Sequence, residues 1–323
     1  MSDPTGGAAG GRAAQADQTD PTPRSRGGST ALRVAQVVFV VAVAFFIVRY
    51  LRRAWPAVHA HEWELHPEWL VVSAALVLAY YLLNGLVWWL ILRGCGLPAA
   101  ATRTLAVWAK SILARYLPGN VFMFVSRGWM SYRQGLDVDR VSAGMVYEQV
   151  LNVAGALVVA AALFPFWTYE REITAWALLA IPLGVAVLHP RLFAPLAAYA
   201  ALWLLAGLAM WTFAAAVTDV TAASYPELTV GFAVAFVAGM VVFFVPSGIG
   251  VREAVLAAAT AGVFASGGVA LAWALLARLW QTCLELGFVA GVSAADRLGG
   301  RPPSDDTAPA ARTAAATADR EER

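Results

Sequence analysis

Apolar runs of membrane-spanning length, separated by short polar breaks, fill most of this chain between Val34 and Ala295. A helical run of about 20 apolar residues matches the thickness of the hydrocarbon core of a bilayer. Hydrophobic residues make up 60% of the 323 residues and charged residues 14%, a balance that excludes an ordinary soluble domain. Because a helix satisfies its own backbone hydrogen bonds in lipid, the sequence predicts an all-α integral membrane protein, a polytopic helical bundle.

Hydropathy along the chain predicts about six full spans and two broken apolar segments. The full spans cover about residues 33–51, 69–92, 142–167, 173–189, 196–218 and 268–295, and the broken segments about 102–134 and 228–265. The first break contains Leu117-Pro118-Gly119-Asn120 and the second contains Pro246-Ser247-Gly248-Ile249-Gly250. Proline lacks an N–H and glycine permits unusual dihedrals, so each break is expected to end one helix and begin another.

The positions of the arginines predict the orientation of the chain. Arginine-rich loops stay cytoplasmic, which places both termini inside, although Arg49, Arg52 and Arg53 then lie in an outer loop. Residues 1–31 and 297–323 are predicted to be disordered cytoplasmic tails around a membrane domain at 32–296. Tryptophans near span ends, Trp88 among them, are interpreted as interfacial anchors.

This orientation gives the two broken segments opposite directions. The first leaves from and returns to the cytoplasmic side, and the second leaves from and returns to the outside. Each broken or re-entrant hairpin then lies between two full spans, and this unit occurs twice with opposite orientation. That is the outline of an inverted repeat with a substrate site at its centre. Two complete crossings in place of each hairpin would return the chain to the same side of the membrane. The sequence is therefore compatible with both arrangements.

Polar residues inside these apolar segments are the candidate site, because charges and unpaired amides facing lipid are unfavourable. At the second break, Gly248 and Gly250 are expected to expose amides ahead of a helix that begins near Arg252 and Glu253. At the first break, Gly119 and Asn120 begin the next helix, and Arg127 lies two turns along it. Two such anion cradles approaching from opposite leaflets would suit a phosphate headgroup.

The spans that follow the breaks carry further polar residues at helical spacing. Glu148 and Asn152 are four residues apart, and Arg278, Gln281 and Glu285 fall on one face of the last span. One interpretation is that they line a cavity. The other is that they form structural ion pairs, for instance Arg278 with Glu148.

At these residues the chain resembles the flippase-like membrane domain of lysylphosphatidylglycerol synthases. The resemblance is carried by Arg115-Tyr116-Leu117-Pro118-Gly119-Asn120-Val121 with Arg127, by Glu148 and Asn152, and by Pro246-Ser247-Gly248-Ile249-Gly250-Val251-Arg252-Glu253. It implies a multi-pass protein of the bacterial inner membrane that moves a phospholipid or polyprenyl-linked lipid between leaflets. The tail after Asp296 is too short for the aminoacyl-transferase domain of the two-domain synthases, so lysine transfer is not expected.

The predicted function is therefore transport of a lipid with an anionic headgroup, and not catalysis. No nucleophile elbow, P-loop or dinucleotide-binding pattern occurs in the sequence, and no cofactor or nucleic-acid partner is predicted. The segment His59-Ala60-His61-Glu62-Trp63-Glu64-Leu65-His66 lacks the spacing of a helical zinc motif and is interpreted as an interfacial loop. The alternative function is a non-transporting auxiliary subunit of a glycosyltransferase or another cell-envelope enzyme.

Overall fold

The computed structural model describes residues 59–116, 121–167, 190–242, 248 and 250–298, with a few isolated positions between 45 and 56. Every element within these residues is helical. The α-helices are α1 (Pro67–Gly94), α2 (Ala101–Ile112), α3 (Val121–Arg133), α4 (Val138–Trp167), α5 (Pro190–Val217), α6 (Tyr225–Val241), α7 (Val251–Ala259) and α8 (Gly267–Leu298). Short 3₁₀ helices cover Leu113–Tyr116 and Ala222–Ser224.

Five helical segments of the described chain are long and apolar enough to cross a membrane. They are Pro67–Gly94, Val138–Phe164, Ala194–Val217, Ala222–Val241 and Gly267–Leu298. Four of them coincide with the spans predicted at 69–92, 142–167, 196–218 and 268–295. The spans predicted at 33–51 and 173–189 lie outside the described residues, apart from isolated positions in the first. The chain is thus an all-α, multi-pass membrane protein.

The surface of these long helices is apolar, as contact with lipid requires. Large side chains that are well exposed include Val71 on α1, Val146 and Val150 on α4, and Leu279 on α8. A soluble protein rarely exposes so many large apolar groups on neighbouring helices. The outward faces of α1, α4 and α8 are therefore suited to the bilayer, and the polar residues are left to the interior.

The described helices on either side of each predicted break are separate elements, and the two segments differ in form. In the first, α2 and α3 have 12 and 13 residues, which is fewer than the roughly 20 needed to cross a bilayer. In the second, α6 with its preceding 3₁₀ turn is long enough to cross, whereas α7 has nine residues. Residues 117–120, 243–247 and 249 lie outside the described chain, so the predicted site residues Pro118, Gly119, Asn120 and Pro246 do too.

The helices pack in a pattern that is unchanged when the two halves of the chain are exchanged. In the first half, α1 and α3 each pack on both α2 and α4. In the second half, α5 and α7 each pack on both α6 and α8. Between the halves, α1 packs on α5, α4 packs on α5 and α6, and α8 packs on α1 and α2. Each of these contacts thus has its counterpart in the other half.

Close helix approach occurs at equivalent places in the two halves. A Cβ atom on Gly85 of α1 would lie 2.4 Å from Leu105 Cδ1 of α2. A Cβ atom on Gly207 of α5 would lie 2.2 Å from Thr229 Oγ1 of α6. In membranes, small residues allow such close backbone packing without a hydrophobic driving force. The two glycines therefore allow close packing of corresponding helix pairs, α1 with α2 and α5 with α6.

A short turn connects α3, which carries Arg127, to α4, which carries Glu148. The chain leaves α3 through Gly135, whose φ of 78° favours glycine. The Arg140 amide then donates to Asp137 Oδ1 at 3.0 Å, which caps the first turn of α4. This short turn makes α3 and α4 neighbours, as their packing contacts show.

Candidate functional site

Two adjacent cavities with charged or carboxamide side chains in their walls lie between the halves of the bundle. The first, of about 70 Å³, is here named the cationic chamber and is lined by residues including Arg115, Arg252, Arg278, Gln281 and Glu285. The second, of about 170 Å³, is named the amide chamber and is lined by residues including Asn84, Arg127, Glu148, Gln149 and Asn152. Both chambers are lined by Tyr80, Tyr81, Arg115, Phe236 and Arg252. These shared residues form the wall between the chambers.

Arg127 and Glu148 form a buried ion pair between α3 and α4. Arg127 Nη1 donates to Glu148 Oε2, and Arg127 Nε donates to Ser111 Oγ at 3.0 Å. The guanidinium lies over the ring of Trp88, 5.0 Å from its centroid, and Trp108 Nε1 donates to Glu148 Oε1 at 3.2 Å. Arg127 is 2% exposed and its charge is neutralised. It therefore ties the first broken segment to α2 and α4, and is not available to an anion in this arrangement.

A second ion pair joins the two halves of the chain. Arg115, in the 3₁₀ turn after α2, pairs with Glu285 of α8. The hydroxyl of Tyr81 on α1 donates to Glu285 Oε2 at 2.8 Å. Arg115 Nε and Glu285 Oε1 are buried and have no hydrogen-bond partner among the described residues. The wall of the cationic chamber thus keeps one unused donor and one unused acceptor, which a water molecule or a ligand atom would satisfy.

Glu253 organises the start of α7. Its Oε2 accepts a hydrogen bond from the Gly250 amide at 2.5 Å, and its Oε1 lies 3.6 Å from Arg278 Nε on α8. In this arrangement the Gly250 amide, which the sequence predicts to bind an anion, donates to the carboxylate three residues along the chain. Arg278 and Glu148, which the sequence offers as one example of a structural ion pair, have other partners: Arg278 lies near Glu253, and Glu148 pairs with Arg127.

Arg252 differs from the other three arginines around the chambers. Its guanidinium lies over the rings of Phe232 and Phe236 at 5.7 and 5.4 Å, and no carboxylate among the described residues pairs with it. The charged side chains described around the chambers and the adjoining α7–α8 contact are four arginines and three glutamates: Arg115, Arg127, Arg252, Arg278, Glu148, Glu253 and Glu285. Their sum is a surplus of one positive charge. Each glutamate has an arginine partner. Arg252 therefore carries the surplus.

The stem of Arg252 is held in a slot between two glycines. A Cβ atom on Gly239 of α6 would lie 2.4 Å from Arg252 Cγ, and one on Gly248 would lie 3.1 Å from the same atom. Gly248 also has a φ of 66°, which side chains other than glycine rarely adopt. The two glycines and the two phenylalanine rings thus aim one guanidinium into the wall between the chambers.

Replacing Gly239 by alanine is expected to displace Arg252 and to lower the affinity for an anionic ligand by about tenfold, because the added methyl group overlaps the arginine stem. Binding of a short-chain anionic phospholipid to the purified protein measures this. Gly94→Ala at the end of α1 is the matched control, since a Cβ atom there meets nothing within 4 Å. Equal affinity of the two variants would show that the slot does not position Arg252.

Most of the predicted site residues that the structure describes meet around the two chambers. Arg115, Arg127, Glu148, Asn152, Arg252, Arg278 and Glu285 line them, while Gly248 and Gly250 position Arg252 and Glu253. The predicted face of Arg278, Gln281 and Glu285 is confirmed, because all three line the cationic chamber.

Several lining residues were not anticipated from the sequence. Tyr80, Tyr81 and Asn84 lie within α1, and Gly239 with both phenylalanines lies on α6. Asn84 offers a usable signal, since a carboxamide in a 28-residue apolar helix is rarely placed toward lipid. Gly239 and the phenylalanines offer none, because such residues are common throughout membrane helices. Trp88, interpreted as an interfacial anchor, is fully buried beneath Arg127.

The histidine-rich segment before α1 makes ordinary polar contacts. His61 Nε2 lies 3.0 Å from Thr218 Oγ1, and His66 lies near Glu64 and Glu68 at 3.2 and 3.6 Å. Within the described residues, no group of three or more histidine, cysteine or acidic side chains converges as a metal site would require. The contact of His61 with Thr218 instead fastens this segment to the end of α5.

No family model, curated protein or solved structure matches the chain. The class of the protein rests on its fold and on the arrangement of its polar interior.

Proposed function

We propose that this protein is a flippase-like lipid transporter that moves a lipid with an anionic headgroup between the leaflets of a membrane. The observation that carries this proposal is Arg252, a cavity-lining guanidinium without a carboxylate partner among the described residues. A charge inside a membrane bundle is unfavourable unless it is paired or serves a function. An anionic headgroup supplies the missing partner.

The neighbouring surface favours a lipid over a small soluble anion. An open apolar groove of about 620 Å³ runs along α1 and α8 and is lined in part by Leu78, Leu82 and Phe288. Leu284 lines this groove while the next residue, Glu285, lines the cationic chamber. The apolar groove and the charged chamber are thus next to each other. A lipid fits this arrangement, because its charged headgroup would lie in the chamber and its acyl chains in the bilayer.

The ion pairs suggest how the halves move. Arg127–Glu148 lies within the first half and Glu253–Arg278 within the second, whereas Arg115–Glu285 and the Tyr81–Glu285 hydrogen bond cross between them. Rocking of one repeat against the other then breaks the crossing contacts and keeps the internal ones. In this mechanism Arg115 and Glu285 form a gate, and Arg252 remains with the headgroup.

The resemblance to the flippase-like domain of lysylphosphatidylglycerol synthases agrees with this proposal. The described residues that carry it include Arg115, Arg127, Glu148 and Arg252, all of which line the chambers. The symmetric packing of the halves agrees with an inverted repeat, for which α1–α4 and α5–α8 are the units. The proposal includes the bacterial inner membrane as the location and cytoplasmic termini.

Leaflet exchange in proteoliposomes tests the function. Purified protein is reconstituted with a trace of phosphatidylglycerol or phosphatidylcholine carrying a fluorophore on an acyl chain, and a membrane-impermeant quencher reports the outer-leaflet fraction over time. We expect exchange of phosphatidylglycerol to exceed that in empty liposomes and that of phosphatidylcholine, with both lipids recovered chemically unchanged. Exchange at the empty-liposome rate for every anionic lipid would contradict transport and favour the auxiliary-subunit alternative.

A further inference from the structure

The amide chamber presents a chemistry that a phosphate alone does not need. Asn84 of α1 and Gln149 and Asn152 of α4 place three carboxamides around a cavity of about 170 Å³. A single buried water needs only about 10–15 Å³, so the chamber holds a group of several atoms. Carboxamides carry no net charge and both donate and accept hydrogen bonds.

These carboxamides retain hydrogen-bonding capacity toward the chamber. Asn84 is 6% exposed, and among the described residues the Tyr80 hydroxyl is its hydrogen-bonding neighbour. Asn152 Oδ1 accepts from Trp203 Nε1 at 3.0 Å, and its amino group has no acceptor in the described chain. The side chain of Gln149 has no hydrogen-bond partner there. A carboxamide can make up to four hydrogen bonds, so donors and acceptors remain for a ligand.

The charges of the amide chamber argue against a cationic or zwitterionic occupant. Glu148 is the carboxylate in its wall, and that carboxylate accepts from both Arg127 and Trp108. An ammonium group would therefore find no unpaired carboxylate among the described residues. Hydroxyl groups, which both donate and accept, match the three amides without requiring a charge.

We propose that the amide chamber binds an uncharged, hydroxyl-rich group attached to the phosphate, of the glycerol or sugar class. This inference rests on the proposed function, because the phosphate at Arg252 places the next part of the headgroup beside the shared wall. The transported lipid is then a phosphodiester with a polyol or glycosyl headgroup, and each chamber holds one part of it.

Three lipids with identical acyl chains test this proposal. Phosphatidylmethanol, phosphatidylglycerol and phosphatidylinositol have the same phosphodiester charge and differ in their hydroxyl groups. Their dissociation constants for the purified full chain are measured by titration in detergent micelles. We expect phosphatidylglycerol and phosphatidylinositol to bind about tenfold more tightly than phosphatidylmethanol, because a site built to bond hydroxyls rejects an analogue that lacks them.

Two variants test whether the amide chamber is responsible for the preference for hydroxylated lipids. Asn84→Leu is expected to lower the ratio of the dissociation constants of phosphatidylmethanol and phosphatidylglycerol from about ten to about one. Gln281→Leu is the matched control, because Gln281 is a carboxamide in the cationic chamber, and it should keep the preference. If Asn84→Leu does not fold, Gln149→Leu takes its place, and the comparison of the three lipids with the unaltered protein needs no variant.

The outcomes separate this inference from the proposed function. Equal affinities for phosphatidylmethanol and the two hydroxylated lipids would overturn the polyol subsite and leave an anion site in place. Loss of the preference in Gln281→Leu as well as in Asn84→Leu would also overturn it. If none of the three anionic lipids binds better than phosphatidylcholine, the proposed function fails together with the inference.

Discussion

Replacing Arg252 by glutamine is expected to slow leaflet exchange of phosphatidylglycerol by about 10- to 100-fold while leaving the protein as stable as before. A hydrogen bond to a charged group contributes roughly 1.5–3 kcal/mol, which corresponds to that range of rates if the contact persists in the transition state. The folded protein loses little, because no carboxylate among the described residues depends on Arg252. Removing an unpaired charge from a membrane bundle is favourable or neutral for folding.

Two measurements establish this combination of effects. The exchange rate comes from proteoliposomes with matched protein content, and stability comes from the temperature at which the detergent-solubilised protein unfolds. Arg252→Lys is the informative companion, since it keeps the charge but loses the planar group that lies over Phe232 and Phe236. It should retain part of the activity. An exchange rate in Arg252→Gln equal to that of the unaltered protein would remove Arg252 from the site.

The distinction between Arg252 and Arg127 illustrates what the sequence could and could not predict. Both arginines follow a break that contains proline and glycine, and both lie in a short helix, so the sequence pattern predicts the same role for them. Their difference arises from the tertiary fold: α4 brings Glu148 to Arg127, while α6 brings two phenylalanine rings to Arg252. A carboxylate that neutralises an arginine across 21 residues is not visible in the local pattern.

The predictions that succeeded rest on physics that acts locally. Length and hydropathy determine whether a helix can cross lipid, so α1, α4, α5 and α8 were predicted from the sequence with their approximate bounds. Helical spacing also placed Arg278, Gln281 and Glu285 on one face. The local pattern does not show that the Gly250 amide donates to Glu253, because it predicts both residues as parts of one anion site.

Replacing Arg127 by methionine is expected to be strongly destabilising, by about 3–5 kcal/mol, because it leaves Glu148 as an uncompensated buried charge. The unfolding temperature in detergent should fall by on the order of 10 °C for a loss of this size. Adding Glu148→Gln to this variant should recover most of the stability. The glutamine removes the charge and still offers Trp108 Nε1 an acceptor.

Arg103→Met on α2 is the matched control for the single variant, since Arg103 is exposed and its loss should change stability little. The contrast between arginines is then measurable in one experiment: Arg127→Met lowers stability, and Arg252→Gln lowers exchange without lowering stability. If the double variant Arg127→Met/Glu148→Gln regains stability and also regains exchange, the ion pair serves only to hold the first broken segment in place. If it regains stability but stays inactive, Arg127 acts on the headgroup as well, and its pairing with Glu148 opens during the transport cycle.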